Sequence, residues 1–262
     1  MRAIPATGRS LAALVLIWQA AIWLFKPPRY MLPSPVEVVE AFARQPAFLL
    51  SQSLVTACEI LLGLTFGAAL GMATALAVAA FPRTGRLVWP MVLILQAFPV
   101  FVLAPLLVLW FGFGITSKVV MTTIIIFFPV ASAFADGLRR TDPFILDAAA
   151  LTPATHWQTL IQIRAPLALP GLISGLRVAA SLAPLGAVIG EWVGASAGLG
   201  FVMVQANARM QTDTVFAAMT ILALLTVFLR LAIDRLTAPL AHWARETKPA
   251  ILTQSQHRKA YP

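Results

Sequence analysis

Long, uninterrupted apolar runs constrain this chain more than any other feature. A hydrocarbon core of about 30 Å takes roughly 20 apolar residues to cross as a helix. Six stretches approach that length, at about 10–25, 53–81, 87–111, 115–135, 171–193 and 214–236. They are continuous and do not alternate every second residue, which predicts helices and not a barrel. The first is short, Glu59 interrupts the second, and Pro99 and Pro105 predict a kinked third. A soluble fold of 262 residues could not hide this surface: 60% of the residues are hydrophobic and only 11% charged, against about 25% charged in globular proteins. The expected fold class is an all-α integral membrane protein with about six transmembrane helices. Residues 1–240 would form one membrane domain, followed by a polar, disordered tail at 241–262.

Nineteen Lys and Arg against ten Asp and Glu give a net charge of +9. The basic residues lie between apolar runs and form no single stripe, so they read as topology and not as a nucleic-acid surface. With both termini on one side, that side collects Arg2, Arg9, Arg83, Arg86, Arg139, Arg140, Arg164, Arg235, Arg245, Lys248, Arg258 and Lys259. The other side holds only Lys26, Arg29, Arg44, Lys118 and Arg209. The bias puts both termini in the cytoplasm, loop 26–52 outside and loop 136–170 inside. Arg2 and Arg9 before Leu11–Phe25 resemble a signal peptide. The run then meets Lys26-Pro27-Pro28-Arg29 with no small-x-small site, so an uncleaved first helix is expected. The one cysteine, Cys58, lies in an apolar run and reads as a small buried packing residue.

Two patterns describe local structure. Pro33-Ser34-Pro35 followed by Glu37 is a helix start signal, predicting a short amphipathic helix on the outer surface. Glycines recur at fourfold spacing, at Gly63, Gly67, Gly71 and again at Gly186, Gly190, Gly194. Small faces let backbones approach in lipid, so both sets predict helix packing, within the bundle or across a dimer. The second set, beside Glu191, also suits a pathway wall.

The inner loop carries the most information. Thr141 or Asp142 caps a helix with Pro143 in its first turn, and Phe144, Ile145, Leu146, Ala148 and Ala149 follow. The chain turns near Thr152-Pro153. A second short helix, about Thr155–Arg164, presents Trp157, Leu160, Ile161 and Ile163 before Pro166 and Pro170 end it. Apolar faces below a membrane bundle predict docking into a cleft on a partner protein, or else a helix resting on lipid head groups.

These residues resemble a known family. Asp147-Ala148-Ala149, Trp157 and the run Ile163-Arg164-Ala165-Pro166-Leu167-Ala168-Leu169-Pro170-Gly171 look like the cytoplasmic loop of permease subunits in bacterial ATP-binding cassette importers. Leu32-Pro33-Ser34-Pro35, Gly175-Leu176-Arg177 and the stretch from Gly190 to Gly200 are similar to the nitrate, sulfonate and taurine branch. Phe128-Pro129-Val130 and the stretch from Asn207 to Asp213 resemble permeases for pyrimidine precursors of thiamine. The resemblance spans roughly 30–235. It implies the permease fold of that family in a bacterial inner membrane and a homodimer of this chain. The implied partners are two cytoplasmic ATPases that hold ATP and magnesium, and an external solute-binding protein. It also implies an ATPase-coupling loop carried by Asp147, Ala148, Ala149, Thr152, Pro153, His156, Trp157, Arg164, Pro166 and Pro170. Two positions depart from the family pattern. Asp147 replaces a glutamate, and Pro153 stands where a turn glycine is expected, so the turn must be built differently.

No G-x-x-x-x-G-K-[ST] occurs, so ATP is not bound by that route in this chain. Intramembrane ionisable groups are costly and become candidates for function. Arg177, Glu191 and Trp192 are pathway or gating candidates, with an ion pair or head-group contact as the plainer reading of Arg177. Glu59 reads as a snorkelling group, a packing hydrogen bond or a functional carboxyl. Arg230 and Asp234 suit an i,i+4 pair. Asn207, Arg209 and Asp213 would receive the binding protein or simply form a solvated loop. His156, His242 and His257 share no metal-ligand spacing, and no nucleophile–base arrangement is visible. No catalytic residue and no metal site is expected. The alternatives are a proton-coupled secondary carrier, for which no repeat is evident, and a lipid-acting membrane enzyme, for which no motif is present.

Overall fold

Lipid leaves no partner for a free peptide group, so apolar runs satisfy their backbone internally as helices. The computed structural model describes residues 6–240. The predicted tail, with Arg245, Lys248, Arg258, Lys259, His242 and His257, lies outside the described residues, as does Arg2. Helix α1 (Ala6–Phe25) ends where Lys26 turns to a left-handed φ of 45° before Pro27. Helix α2 (Pro35–Arg44) begins with the expected cap: Glu37 N–H donates to Ser34 Oγ at 3.2 Å, and Ser34 N–H donates to Glu37 Oε2 at 2.7 Å. Helix α3 (Pro46–Ala80) has 35 residues and so runs about 52 Å, longer than the hydrocarbon core.

The expected third span is not one helix. It divides into α4 (Pro82–Ala97) and α5 (Val100–Phe111), with Phe98 extended at ψ 131°. Proline forces this, because its ring excludes helical angles from the residue before it. Pro99 therefore breaks the run, whereas Pro105 is accommodated inside α5. Helix α6 (Ile115–Arg139) follows, then the loop helices α7 (Pro143–Ala150) and α8 (His156–Thr159), a π-turn at Leu160–Arg164, and α9 (Ala165–Leu167). Helices α10 (Leu169–Gly194), α11 (Leu199–Ala208) and α12 (Thr212–Thr237) complete the described chain. By length and composition, four helical stretches among the described residues can cross a membrane: Pro46–Ala80, Ile115–Arg139, Leu169–Gly194 and Thr212–Leu240. Ala13–Phe25, Val100–Phe111 and Leu199–Ala208 are shorter apolar helices.

Helix α6 is the spine, with α3 and α10 packed along it. Gly63, Gly67 and Gly71 face it from α3, and Gly186 and Gly190 from α10, whereas Gly194 meets Val108 of α5 and Phe113. A Cβ on Gly67 would stand 2.9 Å from Ile126 Cβ, and one on Gly186 would stand 2.8 Å from Thr122 Cα. Close backbone approach of this kind holds helices together in lipid, where no hydrophobic force acts between them. The buried core follows the same contacts, through Ile60, Leu64, Ile126, Val130, Phe134, Leu172 and Ala183. Cys58 corrects the sequence expectation, since it is exposed on α3 and not packed inside. It shares an outward surface with exposed Leu54, Leu61 and Leu62, which suits contact with lipid.

A second cluster forms at the end of the bundle that carries α2. Val38, Ala41 and Leu49 pack there against Leu199, Val202, Met203, Ala217 and Ala218. The opposite end carries α7 and α8.

Candidate functional site

The α7 end is built around a loop that is rigid at its roots and bare at its tip. Asp142 caps α7 by accepting from Phe144 N–H at 2.9 Å. Thr155 and Gln158 form a reciprocal cap on α8. The turn between them, which carries Pro153, contains no left-handed residue. Thr152 substitutes for it: its hydroxyl donates to Ala149 O at 2.7 Å, and its amide donates to the same carbonyl at 3.0 Å. That hydroxyl was the readable signal, since short polar side chains imitate turn backbone.

Pro166 and Pro170 do not end the second helix, contrary to expectation. Each sits in the first turn of the helix it enters, where a missing N–H costs little. The π-turn at Leu160–Arg164 widens the coil just before Pro166, which relieves the clash a proline ring makes with the preceding turn. The chain therefore runs on, almost without a break, from the loop into α10.

Arg164 bolts this segment to the spine. Its Nε and one Nη donate to Leu138 O at 3.2 and 2.9 Å, satisfying an end carbonyl of α6. Burial lowers its guanidinium below the ordinary arginine range. Leu160 and Ala168 are fully buried beneath it. The tip is the reverse: Phe144 is 83% exposed, Leu151 91% and Trp157 58%. Asp147, Ala148, Thr152, Pro153 and His156 are also exposed, while Ala149 is buried. Three large apolar side chains thus stand in the open on a loop fixed at its base.

At the α2 end the structure brings together residues that look unrelated in sequence. Glu191, 1% exposed, accepts from Thr56 Oγ1 at 2.6 Å and from Gly200 N–H. Thr56 Oγ1 in turn accepts from Leu199 N–H at 2.8 Å, and Gln52 Oε1 accepts from Gly198 N–H at 2.7 Å. Glu191 thus sits at the start of α11, where free amides and the helix dipole favour a negative group. Gly198 turns the chain there at φ 106°, and any Cβ on it would collide with the Glu191 carboxylate. Glu59, 3% exposed and so not snorkelling, lies beside Glu191, and its Oε2 has no hydrogen-bond partner among the described residues. Lys118, 1% exposed, donates to Phe113 O, Gly114 O and, at 2.6 Å, Gly194 O. It closes the end of α10 against the start of α6. Thr56, Glu59, Lys118 and Gln52 were missed as a set because they approach only when α3, α6 and α10 pack.

The remaining candidates separate. Arg177 Nε donates to Asp234 Oδ1 at 2.7 Å, and Arg230 reaches the same carboxylate at 3.4 Å and Arg177 O at 3.1 Å. This joins α10 to α12 near the α7 end, and at 36–42% side-chain exposure it is a modest tie. Trp192 is exposed. Asn207 and Arg209 are exposed at the α2 end, whereas Asp213 is engaged by Arg44 at 2.5 Å. Among the described residues no group of His, Cys, Asp or Glu could hold a metal ion.

Residues 63–245 match a family described as binding-protein-dependent transport system inner membrane component. A probable ABC transporter permease protein of Haemophilus influenzae is 45% identical over 224 residues, covering 86% of this chain and 91% of that one. The riboflavin transport system permease protein RibX of Chloroflexus aurantiacus is 34% identical, covering 91% of each chain. The formylaminopyrimidine transport permease protein ThiX of Halalkalibacterium halodurans is 33% identical, covering 89% and 93%.

Proposed function

The chain belongs to the family of binding-protein-dependent transport inner-membrane components, and from that premise we propose how it moves solute. It is the permease subunit of an ATP-binding cassette importer, in a branch whose relatives are named as transport permeases for formylaminopyrimidine, riboflavin, aliphatic sulfonates and taurine. The solute we assign is a small organic molecule of that kind, a pyrimidine precursor of thiamine or a sulfonate. The active assembly is a homodimer of this chain with two cytoplasmic ATPases, which bind ATP and magnesium, and an external solute-binding protein. Both termini and the α7 end face the cytoplasm, in keeping with Arg83, Arg86, Arg139, Arg140 and Arg164 in the connections there.

One observation carries the coupling mechanism: exposed Phe144, Leu151 and Trp157 stand on a loop bolted to α6 through Arg164. An ATPase that grips those side chains and closes on ATP pulls α7 and α8. The Arg164–Leu138 bond and the continuous π-turn pass the displacement to α6 and α10. Because the glycine stripes leave α3, α6 and α10 no slack, they move as a unit, a rigid-body device for alternating access. ATP shifts the equilibrium only if the loop contacts differ between the two states. At the far end Asn207 and Arg209 receive the binding protein, and the Glu191 knot holds the α10–α11 turn on the solute's route, with Trp192 beside it.

A proton-coupled carrier would instead draw on the buried Glu59–Glu191 pair, and liposomes separate the two readings. With its ATPase and binding protein, the permease takes up solute when ATP is supplied inside. A proton gradient alone drives no uptake. Asp147→Arg, a reversal on an exposed α7 position, abolishes ATPase co-purification and leaves membrane insertion intact. Uptake driven by protons without ATP, or unchanged co-purification of the variant, contradicts the proposal.

A further inference from the structure

We infer that the cleft between the α7-end portions of α3, α4 and α6 is a binding site for the head group of an anionic phospholipid. The cleft has a volume of about 400 Å³. Its walls are of two kinds. Ala75, Val78 and Trp89 make an apolar side, while Arg86, Arg139 and Arg164 bring three guanidinium groups to the same space.

The charges do not balance. Arg139 lies 2.7 Å from Asp136 and rests over the Trp89 ring at 4.9 Å, so it is countered and held in place. Arg164 donates from Nε and one Nη to Leu138 O, a neutral acceptor. Arg86 has no ion pair among the described residues. Three cations therefore meet one carboxylate, at a space walled mostly by hydrocarbon. A phosphate carried on an apolar stem suits both walls: its oxygens answer Arg86 and Arg164, and its glycerol and first methylenes cover Val78 and Trp89. A free inorganic anion would leave the apolar wall wet.

The surroundings favour lipid over a protein partner. Exposed Phe81, Leu87 and Met91 flank the cleft on the α3–α4 corner, a surface suited to acyl chains. The bare side chains of the coupling loop, Phe144, Leu151 and Trp157, do not line the cleft. Basic pockets between transmembrane helices near a membrane surface recognise lipid head groups in this manner.

The test uses the full chain in mixed micelles of phosphatidylglycerol and phosphatidylethanolamine with matched acyl chains, read by native mass spectrometry. Wild type retains phosphatidylglycerol in preference, and each arginine contributes about fivefold. Arg86→Gln, which breaks no ion pair among the described residues, lowers the preference about fivefold, and Arg86→Gln with Arg139→Gln lowers it about twenty-five-fold. Arg83→Gln, outside the cleft, leaves it unchanged. Inorganic phosphate at millimolar levels does not displace the lipid, and neither does addition of the ATPase. Equal retention of the two lipids by wild type overturns the inference. So does the same loss with Arg83→Gln, displacement by inorganic phosphate alone, which would make the cleft a simple anion site, or displacement by the ATPase, which would make it a protein contact. If the double variant does not fold, the single Arg86→Gln still decides.

Discussion

Replacing Phe144, Leu151 and Trp157 together with serine is expected to weaken ATPase binding by about three orders of magnitude while the permease still inserts and folds. Each side chain is exposed and contributes nothing to the bundle core, so its loss does not open a cavity. Burying an apolar side chain of this size in a partner's cleft is worth about 1.5–3 kcal/mol, and anchors of this kind dominate interface energy. At 1.4 kcal/mol per factor of ten, three such losses amount to at least a thousandfold. Binding measured between the purified permease and its ATPase in detergent checks this. A fall of less than tenfold would mean that the apolar tip faces lipid and that the charge of Asp147 alone guides docking.

The second large effect belongs to the opposite end. Glu191→Ala removes an acceptor used by Thr56 Oγ1 and Gly200 N–H; it leaves the buried Gly200 amide unmatched and Thr56 with only its longer bond to Gln52 O at 3.3 Å. An unsatisfied buried donor costs about 1–3 kcal/mol and a lost hydrogen bond about 1 kcal/mol, so the loss is about 3 kcal/mol. For a chain of this size that lowers the apparent Tm by roughly 10 °C. Gly198→Ala should reproduce the phenotype without touching the carboxylate, because its methyl group would occupy the carboxylate's place and the φ of 106° strains any other residue. Glu191→Gln keeps an acceptor and should fall between. Thermal unfolding in detergent gives the ranking. If Gly198→Ala is as stable as wild type while Glu191→Ala is not, the carboxylate acts through something other than the α11 cap.

Much of this architecture was legible because lipid imposes simple rules. Run length located most of the helices, Ser34 and Glu37 announced the α2 cap, and the start of α7 was legible to within Thr141 or Asp142, of which the structure uses Asp142. The places that escaped were those governed by competition. Hydropathy runs straight through Phe98 and Pro99, where a steric rule local to proline overrides it. At Pro166 and Pro170 the same residue type does the opposite, because a π-turn and first-turn positions absorb it. Arg177 reads from sequence as a pathway candidate, an ion pair or a head-group contact; its partner Asp234 lies 57 residues away, so sequence alone does not choose among them. The knot of Thr56, Glu59, Lys118 and Glu191 has no sequence signature either, since four residues on three helices acquire meaning only once the glycine stripes bring those helices into contact.

Site-directed photo-crosslinking from the loop tip tests the coupling claim most directly. A probe attached at Leu151→Cys, in a Cys58→Ser background, is placed in the reconstituted transporter during ATP turnover. The loop described here predicts an adduct with the ATPase, with a yield that changes between ATP-free and ATP-trapped states. Adducts with phospholipid alone, in either state, would contradict it.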